Sequence, residues 1–256
     1  MKPEIIFLKQ EDVIEAGLLD MKQVLKSTEH TFDMLGKGNV IQPNKIFLGI
    51  PNDENWTSYG MSMPAYIKSE DGYSVIGFKW AAESMYNAQV EGVPYGIDII
   101  LLSNPKTMFP KAIMDGTIIT AMRTSAAAGV CAKYNAKKDT KKLTLFGAGV
   151  IGRTMIESIM TVIPGIKEVT LVDKDIDKAI DLKDEFKGKY NIVTSNDAKS
   201  AVADADLVVT ETTSRKAFIK KKWLKKNATV IQMEAHAFER DVMLSADKVV
   251  LDSWEQ

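Results

Sequence analysis

The sequence predicts an α/β protein: a Rossmann-type, doubly wound parallel sheet in the C-terminal half, preceded by an α+β domain rich in strands. Three observations carry this. From Leu143 onward, short apolar runs alternate with helical segments, the pattern of strands joined by crossover helices. A glycine-rich turn, Gly147-Ala148-Gly149-Val150-Ile151-Gly152, lies between an apolar run and a helical segment. Before Thr117 the chain instead shows strand-like alternation broken by Pro43, Pro51 and Pro64.

Taken in order, IIFLK near the N-terminus reads as a short strand, and a helix follows from Asp20 to Leu35, closed by Gly36 and Gly38. In SVIGFKWAA, Ile76, Phe78 and Trp80 share one side of a strand, with Val75 and Lys79 on the other. GIDIILLS is apolar enough for the middle of a sheet. A helix from Thr117 to Tyr134, rich in alanine and apolar nearly all round, reads as buried or domain-bridging. The polar stretch KKDTKK then marks a candidate boundary. Beyond it the strands read as KLTLFGAG, EVTLVD, NIVTS, DLVVTET, ATVIQME and KVVLDS, with helices over 150–163, 175–187 and 197–203.

Composition excludes several classes of function. The chain has 33 basic and 34 acidic residues and a formal net charge of -1, without the basic excess of a dedicated nucleic-acid binder. No apolar run approaches a membrane span, and the N-terminus has no signal-peptide pattern. Cys131 is the one cysteine, so no intrachain disulfide can form, and the cytoplasm is the expected compartment. His30 and His236 stand far apart, and no Cys/His spacing suits a metal.

The glycine turn carries the cofactor expectation. The first glycine permits a tight turn, the second lets backbone approach a pyrophosphate, and the third lets helix and strand pack closely. Amide groups and the positive helix end then face the phosphates. Asp173, ending the next strand, is placed to accept hydrogen bonds from the adenosine ribose. That favours NAD, although Lys174 beside it leaves NADP open. Ligands of open α/β sheets sit beyond the carboxyl ends of strands. Thr210, Thr212, Thr213 and Glu234 all lie there, the threonines as candidate contacts for ribose or phosphate.

The segment MDGTIITAMRTSAAAG, joined to LTLFGAGVIG, resembles the ornithine cyclodeaminase/μ-crystallin family. Asp115, Gly116, Thr120, Ala121, Arg123, Thr124 and Ala126 fit the family pattern DG-x-x-T-A-x-R-T-A-A, with Ser125 replacing its first paired alanine. Met63-Pro64, Lys79 in GFKW and the closing ADKVVLDSWEQ extend the likeness over nearly the whole chain. The resemblance implies a substrate-binding and dimerisation domain over residues 1–125, then an NAD(P)-binding Rossmann domain over 126–256. It implies a homodimer acting by hydride transfer on a small amino acid or imine. Ornithine cyclodeamination is the first such activity; alanine dehydrogenation and ketimine reduction are alternatives, and a non-catalytic NAD(P)H-binding protein is another. Lys45, Lys79 and Arg123 match substrate-binding positions, Lys79 and Glu234 catalytic ones, and Thr124 joins the glycine turn and Asp173 in holding the cofactor. A guanidinium buried in the apolar helix would need an anion, and a substrate carboxylate suits the Arg123 fork.

Three departures from the family are visible. The acidic turn reads MEAHAFERD, with Glu234 where aspartate is usual, so Glu239 or His236 are further candidates for the proton work. Met61 stands where ornithine-using members carry glutamate, which leaves a distal ammonium without a counter-charge. The family's customary return segment lies beyond the position of Gln256.

Overall fold

The computed structural model describes residues 4–50, 57–69, 72, 74–87, 90 and 92–253; Pro51 and the final Trp254, Glu255 and Gln256 of the closing motif lie outside them. The chain divides into two compact units. One comprises Met1–Asp20, Lys26–Thr120 and Asp252–Gln256, the other Met21–Leu25 and Ala121–Leu251. The division falls after Thr120. The KKDTKK run is no boundary. It is a turn inside the second unit, where the backbone N–H and hydroxyl of buried Thr140 both donate to the Lys137 carbonyl.

The first unit is built on a seven-stranded sheet of order β1-β7-β6-β5-β4-β2, with β3 also paired to β4. Its strands are β1 (Ile6–Leu8), β2 (Val40–Ile41), β3 (Ile46–Gly49), β4 (Ser58–Ile67), β5 (Val75–Ser84), β6 (Gly96–Ser103) and β7 (Pro110–Asp115). Strand β4 tolerates Pro64, which no sequence rule favours in a central strand. The β2 ladder ends at Tyr66 and the β3 ladder begins at Ser62. Pro64 occupies the gap between them, where a missing N–H breaks no ladder on that edge. Register places two kinds of residue on opposite faces. One face carries the rows Phe7-Ile113-Leu101-Phe78 and Ile99-Trp80-Ser62-Ile46 and the pairs of Leu48 and Ile97. On it Phe7, Ile46, Leu48, Phe78, Ile97 and Ile99 are all exposed. The other face carries Lys79.

The second unit is a five-stranded parallel sheet of order β10-β9-β8-β11-β12, with β8 (Lys142–Phe146), β9 (Glu168–Val172), β10 (Ile192–Ser195), β11 (Leu207–Thr210) and β12 (Thr229–Gln232). Chain order reverses at β8, the doubly wound arrangement. After α1 (Gln10–Val13) and α2 (Met21–Gly36) earlier in the chain, helices α3 (Thr117–Asn135), α4 (Val150–Val162) and α5 (Ile176–Glu185) supply Ala128, Ile156 and Leu182 to a core with Leu143, Leu145, Leu171 and Val209. Phe146, Val172 and Val208 pack instead with α6 (Ala198–Val202) and Ile219. Continuous apolar strands are therefore buried on both sides.

Residues 248–253, expected as a sixth strand, form none. Val249, Val250 and Leu251 are exposed, and β12 has β11 as its only ladder neighbour among the described residues. Strand composition supplies preference, but without a partner there is no ladder.

Helices α3 and α4 are joined by small and hydroxylated residues. Ser125 and Thr154 hydroxyls lie 2.6 Å apart, and the Ser158 hydroxyl donates to the Ser125 carbonyl at 2.7 Å. A Cβ on Gly129 would come within 2.2 Å of Ser158 Oγ and 2.8 Å of Leu25 Cδ2. Gly129→Ala is expected to destabilise the second unit by about 1–3 kcal/mol through overpacking, read as a lowered urea midpoint at unchanged slope.

Candidate functional site

Strand β8 ends at Phe146, and Gly147 turns the chain with φ +105, in the left-handed region that side chains resist. Its surroundings forbid a side chain as well, because a Cβ there would sit 2.0 Å from the Glu211 carbonyl oxygen. Gly152, in the first turn of α4, would place a Cβ 2.0 Å from the Gly147 carbonyl. Gly149, which caps α4, faces open space: a Cβ there would meet nothing within 4 Å. Two glycines thus pack backbone on backbone, and the one between them leaves a clear approach to the start of a 13-residue helix. Val150 is exposed beside it, and Ile151 packs on the core.

Asp173 follows β9 and braces this turn. Its carboxylate accepts the Ala148 N–H at 2.9 Å and the Asp175 N–H at 3.0 Å. A carboxylate offers about four acceptor sites, so two remain for further donors such as ribose hydroxyls. The geometry fits a diphosphate at the helix start and a sugar diol next to it.

The neighbouring strand ends hold an acid. Thr210, fully buried, donates its hydroxyl to Glu234 Oε2 at 3.0 Å, and Thr212 donates to Oε1 at 3.4 Å. Burial pushes the Glu234 carboxyl up from its ordinary value, and the two threonines and nearby backbone N–H groups offset part of that rise. The Thr210 side chain therefore supports Glu234. Its β-branched residue type at a strand end gave no hint of this partner. Thr213 is exposed. Backbone connects the acid to the glycine turn: Glu211 donates its N–H to Phe146 and presents its carbonyl to Gly147.

In the first unit, strand register sets Lys79 directly across from Met63, one residue beyond the Ser62–Ile46 pair of β4 and β3. Lys45, half-buried, immediately precedes β3. Lys79 is neither a solvated lysine nor a bare cation. Its ammonium donates to Asp98 Oδ2 and Thr120 Oγ1, each at 3.0 Å, with side-chain exposures of 14% for Lys79 and 6% for Asp98. The Thr120 hydroxyl also donates to Asp98 Oδ2. Removing one member of a buried pair costs about 3–5 kcal/mol. The signal for Asp98 was present in the sequence as the one charged residue in GIDIILLS, but its partner lies on the neighbouring strand.

The opening of α3 explains the DG-x-x-T pattern. Asp115 accepts the Thr117 N–H at 3.0 Å, Gly116 donates its N–H to the Asp98 carbonyl at 2.8 Å, and Thr117 Oγ1 accepts the Asp98 N–H. Thr120 completes the attachment of the helix start to β6. Further along the same strands, the Tyr59 hydroxyl donates to Glu83; burial first, and then the Glu83 acceptor and its charge, raise the Tyr59 pKa.

Arg123 is exposed, which overturns the argument that a buried guanidinium there requires an anion. The helix is apolar in composition, but exposure follows position, and Arg123, like Lys133, lies on an open part of its surface. Thr124 is buried next to it.

Comparison with known proteins agrees with this architecture. The profile of the ornithine cyclodeaminase/mu-crystallin family matches residues 4–255. N-((2S)-2-amino-2-carboxyethyl)-L-glutamate dehydrogenase of Staphylococcus aureus is 27% identical over 260 residues, 100% of this chain and 77% of the relative. The structure of Thermococcus litoralis Δ1-pyrroline-2-carboxylate reductase in complex with NADH and L-proline superposes with a TM-score of 0.82 at 29% identity, covering 93% of this chain and 72% of that one. An archaeal alanine dehydrogenase dimer with bound NAD gives a TM-score of 0.78 at 27% identity, covering 88% and 66%. With the glycine turn, the braced aspartate and the DG-x-x-T attachment in place across the matched span, the chain belongs to the ornithine cyclodeaminase/mu-crystallin family.

Proposed function

We propose that this protein is an NAD(H)-dependent oxidoreductase of small α-amino acids or the corresponding imines. The observation that carries the reading is the half-buried Glu234 carboxylate, held by two hydroxyls beside the open glycine turn. The turn at 147–152, with Asp173 and Thr124, would hold the cofactor. When bound, NAD(H) accepts a hydride from the substrate Cα or returns it. Relatives described with NADH or NAD support this choice over NADP, as does the carboxylate of Asp173, which disfavours a 2′-phosphate.

Glu234 serves as the group that takes or gives the proton on the substrate nitrogen. Its upward-shifted pKa lets the protonated form persist closer to neutral pH than an exposed glutamate would. Lys79 and Lys45 receive the substrate carboxylate. Met61, on the same sheet face as Lys79, offers no counter-charge to a second ammonium. That favours dehydrogenase or imine reductase chemistry over cyclodeamination of ornithine.

The exposed apolar face of the first sheet is where a second copy would pack, since Phe7, Ile46, Leu48, Phe78, Ile97 and Ile99 together exceed the scattered apolar exposure ordinary on a monomer. The dimeric archaeal alanine dehydrogenase supports the same reading.

Two measurements follow. With NAD⁺ and a panel of amino acids, NADH absorbance is expected to rise with at least one of them; ammonia release without net NADH would assign a lyase, and silence in both signals with cofactor bound would defeat the proposal. In that assay Glu234→Gln should lower kcat by about a hundredfold or more while NADH affinity is kept. By sedimentation, the protein should be a dimer that Phe78→Glu shifts toward monomer; an unchanged dimer in the variant would remove this face from the interface.

A further inference from the structure

The Lys79 site carries an acid that the reaction scheme above does not use. Asp98 is more than nine-tenths buried, and its Oδ2 atom accepts from both Lys79 and Thr120. Among the described residues, no hydrogen bond reaches the second oxygen, Oδ1. Hydrogen bonds of the Asp98 main chain to Gly116 and Thr117 hold the backbone that carries the acid beside the lysine. A Cβ on Gly116 would approach the Asp98 Cβ to 3.0 Å, which keeps the helix start tight against it.

Charge decides what such a pair can bind. Lys79 and Asp98 together are neutral, with opposite charges 3.0 Å apart. A carboxylate approaching Lys79 therefore meets repulsion from Asp98 that offsets part of the attraction of Lys79 and of half-buried Lys45, and the low exposure of the pair leaves little water to screen it. A ligand that brings a cation next to its carboxylate cancels the repulsion and gives Oδ1 a donor. An α-amino acid, or a protonated imine with a carboxylate on the adjacent carbon, has that charge pattern. The rows flanking the pair are apolar: Met63 lies across from Lys79, and Ala81 lies between Met61 and Asp98. This suits an uncharged carbon skeleton.

We propose that Lys79 and Asp98 act as one neutral recognition unit, Lys79 taking the substrate carboxylate and Asp98 its nitrogen cation, so that the site selects zwitterionic amino acids and protonated imines over 2-oxo and 2-hydroxy acids. The inference rests on the functional reading above for its substrate class, but it concerns binding and is tested without turnover.

The probes are matched pairs that differ at nitrogen: L-proline against tetrahydrofuran-2-carboxylate, and L-alanine against L-lactate. Each is titrated calorimetrically into the full chain saturated with NADH. In the wild-type protein the amino acid should bind at least about tenfold more tightly than its oxygen analogue in at least one pair, because the analogue leaves Oδ1 undonated. Asp98→Asn should shrink or reverse that ratio, since Lys79 then presents an uncompensated charge to the plain carboxylate, while NADH affinity stays unchanged. Thr120→Val, which keeps both charges, should keep the ratio. Equal binding of both members in the wild type, binding of neither member of either pair, or a ratio untouched in a folded Asp98→Asn variant would each overturn the proposal. If Asp98→Asn does not fold, the wild-type ratios and the Thr120→Val comparison decide. Amino-acid selectivity without turnover would sink the enzymatic reading and leave this one standing; turnover without selectivity would do the reverse.

Discussion

Everything in the second unit that bears on cofactor and proton chemistry depends on the close approach of three backbone segments at Gly147. The end of β8, the end of β11 and the first turn of α4 meet with no room for a Cβ on either Gly147 or Gly152. That contact sets the start of α4 at a fixed distance from the sheet, so the first amides of the helix open at the strand ends. It also determines where β11 finishes, and from there Thr210 and Thr212 reach Glu234. Asp173 braces the turn from the β9 side through the Ala148 N–H. Polar groups at the strand ends are therefore arranged by a steric constraint that contains no polar side chain.

The two ionisable centres resolve burial in different ways. Lys79 and Asp98 are buried as an ion pair, with Thr120 sharing the acceptor, so that each offsets part of the cost of burying the other. Glu234 has neutral donors for partners, which support its charge only partly, and so its proton is held more firmly than in water. A fixed charge pair suits recognition, and a carboxyl that holds its proton more firmly than an exposed one suits proton transfer.

Much of this was legible in the sequence, and the reasons differ by element. The second-unit strands could be read because strands buried on both faces are uninterrupted apolar runs, and the glycine turn because its spacing follows from sterics. Residues 248–253 have the same composition as those strands and form none, since composition is silent about whether a ladder partner exists. Strand β4 was hidden by Pro64, whose tolerance depends on the gap between β2 and β3. The exposure of Arg123 could not be read from an apolar helix, because the side left open is decided by packing. Asp98 and Lys79 stand 19 residues apart and meet only through strand register. The partner of the Thr210 hydroxyl, Glu234, lies two residues beyond the end of β12 and meets it only through the pairing of β11 with β12.

The central claim is that the opening at Gly149, between two glycines packed on backbone, is where the coenzyme's diphosphate meets the helix. The most direct measurement is NADH titration, by calorimetry, of the wild-type chain and of Gly149→Val. Open space around Gly149 predicts that the variant folds with a nearly unchanged Tm and loses NADH binding, while the wild type binds saturably. NADH affinity in a folded Gly149→Val equal to that of the wild type would contradict the account.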